Sequence, residues 1–91
     1  MPKKTFDWDD AADTQGNVHH IGVHGITIEE AEYVVRDNRN PIDRSRSTTY
    51  PITFGRTKTG KFIAVVFSST GTNPEIIRVK TAYEVRPKPK N

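Results

Sequence analysis

Phe62-Ile63-Ala64-Val65-Val66-Phe67 is the stretch that decides the fold. Six apolar residues in a row, rich in β-branched and aromatic side chains, read as a strand buried on both faces. The segments on either side support that reading. Residues 49–57 and 75–85 carry β patterning, and Lys58-Thr59-Gly60 and Thr70-Gly71-Thr72-Asn73-Pro74 separate them from residues 61–69. Connections this short join antiparallel neighbours, so a three-stranded meander is expected, with residues 61–69 in the middle and most buried.

Upstream the period changes. Thr27-Ile28-Glu29-Glu30 is a capping box, in which the Thr27 hydroxyl satisfies the amide three residues on and Glu30 reaches back. Ile28, Ala31, Val34 and Val35 then recur at helical spacing, and Asn38 and Pro41 end the helix. Residues 11–23 read as an earlier helix, with Asp9 and Asp10 complementing its N-terminus, Gly16 weakening its middle and Gly25 as a left-handed cap. Thr5-Phe6-Asp7-Trp8 reads as a short strand or anchoring segment, with Trp8 beneath the first helix. Residues 38–48 read as a polar loop carrying Arg39, Arg44 and Arg46, and residues 1–4 and 86–91 as mobile tails. The expected architecture is a single α+β domain over residues 1–91. Two N-terminal helices pack on one face of an antiparallel three- to four-stranded sheet.

Composition narrows the function. Ninety-one residues with 33% apolar side chains and a mean hydropathy of −0.70 exclude a second domain and leave a thin core. The absence of cysteine excludes a disulfide framework, a Cys-based zinc site and a thiol nucleophile, and fits a cytoplasmic protein. No apolar run is long enough for a bilayer and no signal peptide is expected. Residues 1–37 hold eight acids against three bases, whereas residues 38–91 hold eleven bases against three acids. Such a split suggests a polyanion partner, nucleic acid first, over a merely solubilising surface.

Strict alternation in the last strand puts Ile77, Val79, Thr81 and Tyr83 on one face and Ile76, Arg78, Lys80 and Ala82 on the other. With helices against the Ile77/Val79 side, Arg78 and Lys80 line a basic concavity that Arg56 and Lys61 enlarge from the first hairpin. Parity sends Arg56 to the face of Ile52 and Phe54, unless Gly55 marks a bulge that resets it. A basic sheet face suits phosphate, and metal-free RNA cleavage is its most natural chemistry. Arg56, Arg78 and Lys80 are candidates for charge stabilisation, with Tyr83 or a histidine as proton carrier or stacking group. The competing reading of Tyr83 is a core aromatic on the inner face, which parity favours. Lys61, Arg44, Arg46 and Lys58 are candidate RNA contacts. His20 and His24 share a helical face, but Ile21 stands where a zincin needs Glu, and no carboxylate completes a set. Surface or half-buried histidines are expected there, His19 included, with no metal and no cofactor.

Phe6-Asp7-Trp8-Asp9, Asn17, His24-Gly25-Ile26-Thr27, Glu29-Glu30-Ala31, Phe54-Gly55-Arg56-Thr57, Gly60-Lys61 and Ile77-Arg78-Val79-Lys80-Thr81-Ala82 follow one another in an order that resembles the BrnT-type toxins of bacterial type II toxin–antitoxin systems. These are small relatives of the RelE ribonuclease fold. The resemblance runs over residues 6–85, with Thr81-Ala82-Tyr83 marking a Thr-Ala-Tyr variant. It implies two helices against an antiparallel sheet, RNA cleavage that blocks translation, and neutralisation by a cognate antitoxin, with homo- or hetero-oligomers open. It carries active-site roles to Arg56, Arg78 and Lys80. The alternative is a RelE-fold module that binds nucleic acid or protein without chemistry.

Overall fold

The apolar run forms the centre of the sheet. The computed structural model describes residues 4–37, 39–44, 49–71 and 74–86. Its elements run β1 (Lys4–Phe6), α1 (Asn17–Val23), α2 (Ile28–Arg36), β2 (Ile42–Arg44), β3 (Pro51–Arg56), β4 (Phe62–Ser69) and β5 (Glu75–Glu84). The meander β3-β4-β5 is antiparallel throughout, as the short connections require. Two short strands extend it to a five-stranded mixed sheet in the order β1-β5-β4-β3-β2.

Both additions correct the sequence reading. β2 lies inside the segment read as loop and pairs with only Pro51–Thr53, all three of its residues being exposed. So short and polar a strand has no periodic signal to find. β1 runs parallel to β5, pairing Lys4 with Glu75 and Phe6 with Ile77, so the sheet is not purely antiparallel and Lys4 does not belong to a tail. Arg86 is exposed, and the other residues read as tails lie outside the described residues.

Residue alternation in β4 divides the core in two. Ile63, Val65 and Phe67 face the helices and pack with Ile21, Ile26, Ala31, Val34, Val35, Ile77, Val79 and Ala82. Ala64 and Val66 face the other way, where Ile52, Phe54, Tyr83 and Val85 gather around them. Phe6 and Trp8 close the first cluster, and the Trp8 indole donates to Glu32 of α2 at 2.7 Å rather than lying beneath α1.

The helices follow their end signals. The capping box of α2 is complete: Glu30 N donates to the Thr27 hydroxyl at 3.1 Å, and Thr27 N donates to Glu30 Oε1 at 3.0 Å. Burial works to raise the Glu30 carboxyl, but the Thr27 amide and the Lys61 ammonium hold it below its ordinary value. The helix ends at Arg36; Asn38, read as part of its stop signal, lies outside the described residues. The first helix is shorter than expected, beginning at Asn17 instead of residue 11. Asp10 and Asp13 each accept from the amide two residues on, at 2.9 Å, and so stabilise turns that compete with helix. Gly16 is therefore the N-cap, not a flaw in mid-helix, and a Cβ there would sit 2.7 Å from that of Asp9. At the other end Gly25 has φ +78°, Gly25 N donates to Gly22 O at 2.9 Å and Ile26 N to Ile21 O at 3.0 Å. This is a Schellman cap, and Ile21 and Ile26 meet in the core as its apolar pair.

Two glycines of α1 should respond oppositely to the same change. Gly22→Ala adds a methyl into open space within the helix and should raise stability by about 0.5–1 kcal/mol. Gly25→Ala forces a side chain into the left-handed region and should lower it by about 1–2 kcal/mol. Urea unfolding of the two variants beside wild type checks the pair.

Candidate functional site

β1 covers β5 only as far as Ile77, and α1 occupies the edge beyond it. One buried side chain fixes that arrangement. Asn17 Oδ1 accepts from Asp9 N at 2.9 Å, while its Nδ2 donates to Asp7 O and to Val79 O, each at 3.1 Å. Its own backbone N–H, the first of α1, donates to Asp9 Oδ2 at 2.9 Å. Asp9 thus serves the helix N-terminus, as the sequence suggests, but from eight residues away.

The same carboxylate takes Arg78. Arg78 Nη2 donates to Asp9 Oδ2 at 2.6 Å, and Nη1 reaches Asp7 Oδ2 at 3.4 Å. The guanidinium, with the Asn17 amide, holds the Asp9 carboxyl below its ordinary value, and Asp9 in turn raises Arg78 further above neutrality. Arg78 is therefore a positioned cation whose charge is partly offset before any ligand arrives.

Beside it the seam between α1 and β5 gathers titratable groups. A cleft of about 160 Å³ is lined by Gln15, Asn17, His20, Arg78 and Lys80. The His20 and His24 rings meet edge to face at 5.7 Å between centroids, and the His24 and Tyr83 rings at 6.4 Å. Both histidines are exposed. Their spacing of four residues puts them on one side of α1, and the Schellman turn stops the helix where His24 reaches Tyr83.

Tyr83 arrives there because of a bulge. Register places Val66 opposite Thr81 but Phe67 opposite Val79, so Lys80 is an extra residue in β5. Past it the faces exchange: Ala82 turns into the helix-side core, and Thr81 and Tyr83 join Ala64 and Val66 on the other side. This corrects the strict alternation of the sequence reading, including the inner-face placement of Tyr83. The Lys80 ammonium lies 4.9 Å from the centroid of the Tyr50 ring on that outer face. Gly55, by contrast, carries no bulge. It pairs regularly with Ile63, so Arg56 keeps the face of Ile52 and Phe54. Gly55 is needed because a Cβ there would collide with the Asn40 side chain, which donates to Val34 O at 2.8 Å.

The helix-free face accordingly carries successive rows: Arg56 and Phe62, then Phe54, Ala64 and Tyr83, then Ile52, Val66 and Thr81 with Lys80, then Ser68 and Arg78. Arg56 and Arg78 stand at opposite ends, separated by six residues of β4, or about 20 Å at the rise of a strand. They do not form one patch. Arg56 lies over Phe62, 5.5 Å from its ring centroid, and donates to Gly60 O at 2.8 Å. Lys61 does not enlarge the face either, because its ammonium turns to the helices, 3.1 Å from Glu30 and from Gly25 O. Lys58 is exposed in the β3–β4 turn, beside a hollow of about 290 Å³ against Tyr33 and Glu30. Arg44 is exposed at the end of β2, and Arg46 lies outside the described residues. Among the described residues no group of His, Asp and Glu is arranged to hold a metal ion, and no helix is long and apolar enough to cross a membrane.

The sequence points to Lys80, Arg78 and, as proton carrier or stacking group, Tyr83 or a histidine, without placing His20 or His24 against the last strand. The signal that pairs His20 with the site is the i, i+4 spacing to His24 ahead of a Gly cap, read together with a tyrosine in the last strand. No family model matches the chain, and no curated protein matches it.

The Asp9–Arg78 pair makes a pH-dependent contribution of known sign. Asp9 is depressed in the folded state, so its stabilisation is complete above the ordinary carboxyl value of 3.8 and is lost as pH falls through the lower folded-state value. The Asp9→Asn variant should therefore unfold at lower urea than wild type near neutrality, with the gap closing as the solution is acidified below about pH 4. A gap that stays constant down to about pH 2 would show that the carboxylate charge contributes nothing.

Proposed function

We propose that the protein is a BrnT-like, RelE-fold toxin that cleaves RNA without a metal. The observation that carries the proposal is the seam where His20, His24 and Tyr83 stand in contact beside Lys80 and Arg78. Cleavage by the ribose 2′-hydroxyl needs a base for that hydroxyl, cationic donors for the extra charge on the phosphorane, and an acid for the departing 5′-oxygen. An imidazole can accept a proton in its neutral form and donate one in its protonated form, so two histidines side by side can serve as base and acid. Lys80 and Arg78 supply the donors. The 2′-oxygen bonds to phosphorus and the bond to the 5′-oxygen breaks; one histidine keeps the proton taken from the 2′-hydroxyl, and the other, protonated beforehand, gives its own to the 5′-oxygen. A 2′,3′-cyclic phosphate and a 5′-hydroxyl end result.

The rest of the helix-free face suits a single strand. Phe54, Phe62, Tyr83 and Tyr50 alternate there with Arg56 and Lys80, and aromatic faces interleaved with cations are what stacked bases and their phosphates require. The toxin reading draws further support from the motifs behind the family resemblance. Phe6-Asp7-Trp8-Asp9, Asn17 and Arg78, far apart in sequence, converge in one hydrogen-bonded network. An antitoxin would then cover the cationic face with an acidic segment. A second reading, a non-catalytic RNA-binding module, is favoured by the engagement of Arg78 with two carboxylates.

Induced expression of wild type should arrest growth and create new RNA 5′-hydroxyl ends, whereas His20→Gln, His24→Gln and Lys80→Ala should each reduce cleavage by about 10²-fold or more. Cleavage by purified protein should survive EDTA. Salt-sensitive RNA binding without new ends in wild type would decide for the binding module.

A further inference from the structure

A second hollow lies on the opposite side of β4 from the seam, along β3. β2 covers β3 only at Pro51–Thr53, so Phe54–Arg56 remain an uncovered strand edge. Between that edge and the C-terminal half of α2 is an open hollow of about 440 Å³, lined by Tyr33, Asp37, Arg39, Phe54, Arg56 and Phe62. Its size is that of a small-molecule site. Three aromatic rings, one of them (Tyr33) 46% exposed, surround a space that also receives two guanidinium groups.

The two arginines differ in how they are held. Arg39 forks onto Asp37, with Nε to Oδ1 and Nη2 to Oδ2 both at 3.0 Å. Arg56 has a carbonyl partner, Gly60 O, and a ring, Phe62, but no carboxylate among the described residues. Its full positive charge is presented beside the aromatic walls. A flat ring bearing a phosphate meets both needs at once: the ring stacks on the exposed face of Tyr33, and the phosphate takes the Arg56 fork that lies over Phe62. The uncovered backbone of β3 offers amide and carbonyl groups to the edge of a base. An aliphatic ligand would use the rings but leave Arg56 without an anion, and a bare anion would leave the rings unused.

We infer that this hollow binds one nucleotide of the RNA strand, base on the exposed Tyr33 ring and phosphate on Arg56, as a subsite separate from the cleavage seam. The inference rests on the RNA reading above and adds to it a position away from the scissile bond. It gives Arg56 a role in holding the strand, apart from Arg78, and makes Tyr33 a determinant of which sequences are taken.

The test is a titration of the full, isotope-labelled chain with AMP, GMP, CMP and UMP, with inorganic phosphate, and with a non-cleavable 2′-deoxy octanucleotide, followed by amide chemical shifts. A nucleotide should move the amides of Tyr33, Asn40 and Phe62 saturably. Tyr33→Ala and Arg56→Ala, each with a dispersed native spectrum, should weaken that binding by about tenfold, the loss of one stacked base or one charge-assisted contact. Tyr33→Phe should retain it. Shifts confined to His20, Lys80 and Tyr83 would overturn the subsite while leaving the RNA reading intact. Equal shifts with phosphate alone would overturn base recognition, and no shift anywhere with the octanucleotide would overturn both.

Discussion

The Asn17 side chain is the constraint on which the arrangement depends. A single carboxamide accepts from the segment after β1 and donates both to that segment and to the backbone of β5. It is 6% exposed, and Val79 O, its partner in the core, has no water to fall back on if the amide is removed. The bonds hold a seven-residue helix, too short to persist alone, against a strand edge that β1 leaves uncovered. Because Asn17 is the first residue of α1, fixing it fixes the phase of the helix, and the phase places His20 beside Lys80 and His24 beside Tyr83. The two carbonyls and one amide that Asn17 satisfies are therefore also what aligns the seam.

The bulge at Lys80 is the second determinant, and it acts through parity. Without an extra residue, Tyr83 would point into the helix-side core and Ala82 would face outward. With it, a small residue enters the crowded side beside Val65 and an aromatic emerges next to Ala64. Tyr83 then has space over a small neighbour and a histidine at its edge. The bulge also removes Lys80 from the regular ladder and brings it over Tyr50. One inserted residue thus changes the surroundings of Lys80, a donor in the proposed cleavage, and of Tyr83, which the His24 ring meets.

What the sequence made legible follows from the range of the interactions involved. The meander, the capping box and the Gly25 cap depend on neighbours within a few residues, and each is present in the structure as read. The early part of α1 was misread because the apolar and polar pattern of residues 11–16 is permissive, while the Asp10 and Asp13 side chains settle the backbone into turns. β1 and β2 consist of three residues each and form only because β5 and β3 offer edges. The bulge has no local mark at all: nothing in Val79-Lys80-Thr81 announces it, since register is decided by how β4 and β5 pack across both cores. The candidate site was legible as a set of residue types on the last strand. Which histidines join that strand was not legible, because their proximity to it is a consequence of Asn17, a contact spanning 62 positions.

The uneven charge of the two halves also acquires a structural meaning. Of the ion pairs among the described residues, Glu30 with Lys61, both Asp7 and Asp9 with Arg78, and the local pair Asp37 with Arg39 join an acid of residues 1–37 to a base of residues 38–91. Part of the asymmetry is therefore attraction between helices and sheet, used within the fold and unavailable to a polyanion. Arg56 and Lys80 have a different setting: each lies over an aromatic ring on the helix-free face, with no carboxylate partner among the described residues. Both positive charges stand beside rings, one near each end of the sheet. A basic isoelectric point by itself argues only for loose attraction to nucleic acid. Cations that remain after internal pairing, set on an aromatic face and spaced along it, argue for a strand that lies across the sheet.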